Sequence, residues 1–498
     1  MKKDGVKEFK NLIILLVYYM KTRKNRNKCK KGGKVIATGG KVIASGGFGC
    51  VFSPALKCEG NASRGKNRIS KLLTKKHALD EFNEIQIFKK QLDKIPNYQN
   101  YFLIDDFDIC KPAKLNKSDL VSFKSKCSAL PKDKITQENI NTSLDKVFAL
   151  NMPNGGLPID DFLLKNNSYK NIVNLNNTLI KLLNNGIIPM NKKNIYHCDI
   201  KDSNILVDNS SNLKARLIDW GLSTEYIANI NQTFPKTWRN RPFQFNVPFS
   251  IIIFSDLFFD KYSKYIKEGG KINHISLKPF MINYIYLWTK ERGSGHYSYI
   301  NQIMFMLFSN ELDDIDQNSK EKLIENDFTL IYISNYIIEI LINFTKFRED
   351  GTLNLREYID TVFIKIVDIW GFIISYLPIF TALFENYKKL NEMELELFEA
   401  LKKIFIKYLY SPRIKPINID ELTNELKELN KIFKLTSTSI NSRKTSSLKI
   451  SSTKKSKGVT GQTYLLNSSQ KKRTKTSKTK TSKHIIYTLE DLKWDKSH

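Results

Sequence analysis

The feature that most constrains this chain is a short polar run set between apolar anchors. His197, Asp199, Lys201 and Asn204 bring an imidazole, a carboxylate, an ammonium and an amide close together in the chain. Ile195 and Tyr196 precede them, and Ile205, Leu206 and Val207 follow. Apolar residues on both sides bury the ends of such a run, so the polar groups read as a loop held at the rim of a cleft.

The length allows a core large enough to hold that loop. At 498 residues and 41% hydrophobic content, the chain suits an ordinary two-part core with extensions, and its composition is globular rather than disordered. The formal net charge of +30 is concentrated at the ends, with about +10 over residues 1–34 and about +12 over residues 436–498. Basic ends point to nucleic acid, acidic proteins or anionic membranes as contacts, without choosing among them. Cys29, Cys50, Cys58, Cys110, Cys127 and Cys198 show no C-x-x-C spacing. That predicts neither a zinc site nor a disulfide framework, and it favours a reducing compartment. The apolar run over residues 12–20 is shorter than the roughly 20 residues a bilayer span needs. No small-residue cleavage site follows it. We read it as a buried element and expect no transmembrane span.

Taken in order, residues 1–39 form a basic leader, in which Gly32-Gly33-Lys34-Val35-Ile36-Ala37 is almost repeated by Gly39-Gly40-Lys41-Val42-Ile43-Ala44. Next comes a glycine-rich turn, Ala44-Ser45-Gly46-Gly47-Phe48-Gly49-Cys50-Val51. Lys71 lies in a strand-like run, and Leu79, Phe82, Ile85, Phe88 and Leu92 recur at helical spacing on a segment that carries Glu84. Residues 105–146 are polar and read only as strands with a long connecting loop. Residues 147–150 read as a buried strand leading through Leu150 and Met152 into a Pro/Gly turn. Helices are expected over about 169–185, 393–409 and 420–435. Residues 436–498 are rich in Ser, Thr and Lys with few apolar residues, which predicts a disordered tail.

These runs, in this order, resemble a eukaryotic-type Ser/Thr protein kinase. His197-Cys198-Asp199-Ile200-Lys201-Asp202-Ser203-Asn204 resembles the catalytic-loop pattern H-R-D-L-x-x-x-N, with Cys198 in place of Arg. The glycine-rich turn resembles G-x-G-x-x-G-x-V, with Ala44 at the first glycine. Asp219-Trp220-Gly221 resembles D-F-G, and Asp368-Ile369-Trp370-Gly371 resembles D-x-W-x-x-G with the glycine moved. In detail the chain looks most like the divergent Ser/Thr kinases predicted in giant DNA viruses of the mimivirus kind.

The resemblance implies an α+β, two-lobed fold. A small β-rich N-lobe would occupy residues 40–150, and a large, mainly helical C-lobe residues 151–435. A helical insertion would lie at about 251–360, where a peptide substrate normally docks, and the disordered basic tail would follow. ATP and Mg²⁺ are the implied substrate nucleotide and cofactor. Ala44, Ser45, Gly46, Gly47, Phe48, Gly49, Cys50 and Val51 would close over the phosphates. Lys71, aimed by Glu84, would bind them. Leu150 and Met152 would meet the adenine beyond Ala149 as gatekeeper, although bulky Ile69 stands where a small residue normally lies against that ring. Asp199 would take or orient the acceptor proton, Lys201 would neutralise the transferred phosphate, and Asn204 and Asp219 would bind metal. Trp220 would pack against Phe88 and His197. Asp368 would hold the catalytic-loop backbone from below.

The implied acceptors are Ser/Thr protein substrates. The tail would touch nucleic acid or an acidic partner, or be autophosphorylated. The setting would be intracellular, the host cytoplasm or virion for a viral protein. Two alternatives stay open: a pseudokinase scaffold that binds nucleotide without catalysis, and a kinase-fold enzyme acting on a small molecule. Because Cys198 replaces the arginine that pairs with a phosphorylated activation loop, activity is expected not to depend on loop phosphorylation. A fully dephosphorylated preparation should retain high activity. Strict dependence on an added upstream kinase would refute this.

Overall fold

The computed structural model describes residues 40–61, 67–209, 212–228, 234–309, 316–324, 328–349, 351 and 353–435. The leader of residues 1–39, with Cys29 and the apolar run 12–20, and the 436–498 tail lie outside the described residues. The architecture is α+β, with small antiparallel sheets toward the N-terminus and helices through most of the rest. Two compact units are present, one of Met1–Leu72 and Lys111–Ala149, the other of Leu73–Cys110 and Leu150–His498. Residues 73–110, expected with the first part, group with the second instead.

The first unit is built on a hairpin of β1 (Lys41–Ser45) and β2 (Gly49–Ser53). Strand β3 is Arg68–Thr74, β4 is Asp108–Cys110 and β5 is Val147–Pro153. The hairpin pairs Lys41 with Ser53 and Ser45 with Cys50, and a bulge between Val42 and Ala44 turns Ile43 outward. Alternation puts Cys50 and Phe52 on the buried face of β2.

Residues 111–146 cover this hairpin, mostly as short helical turns rather than the strands expected there. These are Phe123–Lys126, Leu130–Asp133, Ile140–Thr142 and Leu144–Lys146. Gly40 N–H donates to Asp119 Oδ1 at 2.7 Å, Val42 N–H donates to Val121 O at 3.3 Å, and Phe123 packs on Phe52 at 6.3 Å.

A covalent link corrects the cysteine reading. Cys50 and Cys127 form a disulfide across a sequence separation of 77, and Cys58 and Cys110 are also disulfide-bonded. Residues that the fold brings together need no sequence spacing in common, so the absence of C-x-x-C pairs carried no information. The argument for a reducing compartment falls with it. Closing so long a loop restricts the unfolded chain, and replacing Cys50 and Cys127 together by Ser is expected to cost about 2–4 kcal/mol. Urea unfolding of the full chain measures this, and an unchanged midpoint would contradict it.

In the second unit the Lys75–Leu92 helix buries Ala78, Ile85, Phe88 and Leu92. Leu79, expected on that face, is 43% exposed. One residue is about 100° of helical turn, and Ala78 takes the inward position. Three short strands, Leu157–Pro158, Ile205–Asp208 and Lys214–Leu217, form one sheet, and Ile195–Tyr196 pairs with Thr224–Glu225 in another. The Ile364–Ile374 helix is apolar nearly all round and buried along its length, as a helix through a core must be.

Around it lie the expected helices, observed as Tyr169–Leu182, Glu392–Phe405 and Ile419–Leu435. Buried Asn176 ties two of them, donating to Leu426 O at 2.7 Å and to Asn430 Oδ1 at 2.9 Å while accepting from Tyr376 at 2.7 Å. The 251–360 segment carries helices of its own, Asp256–Lys267, His274–Arg292, Tyr297–Phe308, Gln317–Leu323 and Thr329–Phe344. Ser255 and Asn273 cap the first two through their side chains. Among the described residues no single helix is long and apolar enough to cross a membrane.

Candidate active site

The polar run begins after the Ile195–Tyr196 strand and ends where Ile205–Asp208 begins, so both apolar anchors are strands. Its backbone is fixed from one side by Asp368, which is 1% exposed on the central helix. Asp368 Oδ2 accepts from His197 N–H at 2.9 Å and from Asn191 Nδ2 at 2.7 Å, and Oδ1 accepts from Cys198 N–H at 2.8 Å. Cys198 adopts a left-handed backbone with φ of 57°. Such strain at a non-glycine residue persists only where surrounding bonds enforce it. Burial pushes the Asp368 carboxyl above its ordinary range, while His197 and the N–H donors pull the other way. Gly371 lies one turn on, where a Cβ would stand 2.4 Å from Ile200 O. The moved glycine thus marks where helix and loop come closest.

Asp199 is 7% exposed. Its Oδ2 accepts from Lys201 Nζ at 2.8 Å and from Asn204 Nδ2 at 2.9 Å, and its Oδ1 accepts from Asn246 Nδ2 at 2.8 Å. A carboxylate offers about four lone-pair positions. Three are filled, and the one left on Oδ1 can take a hydroxyl proton. Asn204 Nδ2 also donates to Asp199 O at 2.8 Å. Two acceptors on one nitrogen fix the amide orientation and leave its oxygen as the ligand end.

Ile218 N–H donates to Asn204 O at 3.1 Å, which brings the chain next to Asp219 against Asn204. Asp219 also has a left-handed backbone, with φ of 66°. Asn204 and Asp219 offer hard oxygen donors, the type that Mg²⁺ takes alongside phosphate oxygens. Among the described residues no three His, Cys, Asp or Glu side chains group as a metal cage. Trp220 packs on His197 at 4.9 Å and on Phe88 at 5.8 Å, the two partners expected of it, and on Phe102 at 5.8 Å. The His197 ring reaches Ile218 O at 3.0 Å through Nε2.

Three contributors from residues 234–248 went unassigned in the sequence. Asn246 is fully buried and holds Asp199 as above. Arg241 Nη2 donates to Cys198 O at 2.9 Å, and Trp238 Nε1 donates to Cys198 Sγ at 3.1 Å. Arg241 belongs to a visibly basic and aromatic run, but nothing local separates it from Arg239, whose side chain is 41% exposed. Burial pushes the Cys198 thiol well up, which keeps it neutral and unreactive. On the other flank His296 N–H donates to Phe243 O at 2.8 Å, and Phe245 packs on the His296 ring at 5.3 Å. Burial, then Lys201, holds the His296 imidazole below its ordinary value.

The nucleotide-binding expectations divide between the two units. In the first, Ala44 and Ser45 end β1, and Cys50 and Val51 lie in β2. Gly46 N–H donates to Gly49 O at 2.8 Å to close the turn. Gly47 has open space around it, and Phe48 is 61% exposed at the tip. Lys71 approaches the turn, its Cε 3.8 Å from where a Gly46 Cβ would stand. Ser45 Oγ accepts from Ser128 N–H at 3.1 Å and Ala129 N–H at 3.2 Å, so the turn is braced at its base as well as by the Cys50 disulfide. Ile69 lies on the same half-exposed face of β3 as Lys71.

In the second unit, Glu84 lies half-buried on the Lys75–Leu92 helix. Leu150 and Met152 lie in β5, the first buried and the second half-buried. Gly156, with φ of +104°, leaves 2.1 Å between a would-be Cβ and Val207 O, so the turn there needs glycine. No family model matches the chain, and no curated protein matches it.

Proposed function

We propose that the chain is a Ser/Thr protein kinase of the two-lobed kind, transferring the γ-phosphoryl group of ATP to a protein hydroxyl. The observation that carries this reading is the Asp199 carboxylate. It is buried, held by Lys201, Asn204 and Asn246, and open at one lone pair. In the proposed reaction the acceptor oxygen bonds to the γ-phosphorus as the bond to the β–γ bridging oxygen breaks. The acceptor proton passes to Asp199, and ADP leaves. Lys201 neutralises charge on the transferred group, and positioning with fixed charge supplies most of the acceleration. Asn204 and Asp219 would hold Mg²⁺, which when bound neutralises phosphate charge. Gly46, Gly47 and Lys71 would meet the phosphates, Glu84 would aim Lys71, and Leu150 and Met152 would meet the base.

A second reading, the same chemistry on a small alcohol, is favoured by one contact. His296 N–H occupies the Phe243 carbonyl, so a residue of the 251–360 segment lies beside the 234–248 segment that holds Asp199, where the resemblance implies that a peptide substrate docks. Transfer of labelled γ-phosphate to the protein itself, to a basic protein substrate and to a panel of lipids and small alcohols tests both readings. Label on proteins supports the first, and label on small alcohols alone supports the second. No label on any acceptor, with an intact fold, overturns both.

A further inference from the structure

The catalytic-loop pattern that this chain resembles has a cation where Cys198 stands, and the fold brings a different cation to the same backbone. Arg241 is 5% exposed, and its Nη2 donates to Cys198 O at 2.9 Å. Its Nε and Nη1 are buried with no hydrogen-bond partner. A buried guanidinium normally forks onto a carboxylate, because an uncompensated buried charge costs several kcal/mol. This one rests on a backbone carbonyl; burial pushes it below its ordinary value, and the nearby carboxylates of Asp199 and Asp368 pull the other way. Lys201 pairs with the buried Asp199 carboxylate at 2.8 Å, and Arg241 adds a second, buried cation close enough to feel Asp199 and Asp368. The same segment reaches Asp199 Oδ1 through Asn246 and covers the Cys198 thiol with Trp238.

We infer that Arg241 is a positioning residue: from the 234–248 segment it holds the 197–201 loop in its working conformation, so that no phosphate added to that segment is needed. The inference rests on the kinase reading. It assigns to Arg241 the task of fixing the Cys198–Asp199 backbone, and to the Cys198 carbonyl the role of its receptor. The cation and its receptor have changed places relative to the pattern. Replacing Cys198 by Arg would then set two cations against each other.

The test compares wild type, R241Q, R241K and D199A as full chains, in labelled γ-phosphate transfer and in amide hydrogen exchange. A loop displaced by about 1 Å loses on the order of a hundredfold in rate. R241Q is therefore expected to lose about ten- to a hundredfold in kcat, with KM for ATP within about threefold. R241K keeps the charge and a donor and should retain at least about a tenth of the wild-type kcat. Amides 197–201 should exchange faster in R241Q, and dephosphorylated wild type should stay active.

Wild-type kcat in R241Q, or R241K falling as far as R241Q, overturns the inference, as does inactive dephosphorylated wild type that recovers on phosphorylation. Should R241Q fail to fold, R241K against wild type decides. Should wild type and D199A both transfer nothing, the kinase reading fails, and exchange at 197–201 in R241Q still judges the Arg241 contact.

Discussion

Asp199→Ala is expected to lower phosphoryl transfer by about 10²–10⁴-fold, the range associated with removing a general acid or base. The loss should appear in kcat, with thermal stability changed much less than by the substitution at Asp368 discussed next. Asp199 is held by side chains on two segments, Lys201 and Asn204 on its own loop and Asn246 on another. Removing the carboxylate leaves Asn246 Nδ2 with only its longer bond to Ile200 O at 3.3 Å, but the backbone bonds to Asp368 remain. Asp199→Asn is no gentler chemically. Both oxygens accept from N–H donors, so either orientation of an amide sets a donor against a donor. Steady-state transfer by wild type and both variants measures the effect. A variant that keeps wild-type kcat would remove Asp199 from the reaction.

The second large effect is structural. Asp368→Ala is expected to destabilise the second unit by about 3–5 kcal/mol, the cost of breaking a buried charged network by removing one partner. Three N–H donors, from His197, Cys198 and Asn191, lose their acceptor at once. Asp368→Asn should cost less, about 1–3 kcal/mol, because its remaining oxygen can serve His197 and Asn191 while only the Cys198 N–H is left opposed. Urea unfolding followed by tryptophan fluorescence gives the ordering, with Trp370 and Trp220 as buried reporters. If Ala and Asn prove equal, or Ala costs under about 1 kcal/mol, then the hydrogen bonds to Asp368 do not hold the loop. Activity should fall with both variants, since the left-handed Cys198 backbone has no other acceptor of this kind for its N–H.

Much of this was legible from residue order alone. The polar run between apolar residues predicted a loop between two buried anchors, and the structure makes those anchors the strands Ile195–Tyr196 and Ile205–Asp208. The spacing of Ile85, Phe88 and Leu92 predicted a helical face, and these residues are buried on one helix. Asp368 beneath the loop and Trp220 against Phe88 and His197 were also expected. For the loop and the helical face the signal is local, a periodicity or a short pattern whose side chains must face one way whatever the rest of the chain does, whereas the places of Asp368 and Trp220 were implied only by the family resemblance.

The remainder depended on segments meeting in space. The pairing of Cys50 with Cys127 joins residues 77 apart, and no spacing rule reaches that far. The grouping of residues 73–110 with the second unit was decided by where that chain finds partners. Arg239 and Arg241 are the same residue type two positions apart, yet one pairs with Asp256 at the surface while the other is buried against Cys198. By itself, then, the sequence determined which groups sit on the loop and which faces of the local helices and strands turn inward. Propensity and periodicity act over a few residues, and a local pattern is enough to carry them. Only the tertiary structure decided which distant residues complete the site. Arg241 and Asn246 reach it across 43 and 47 positions of chain. The energy of such contacts comes from burial and charge balance, which exist only once the core has formed.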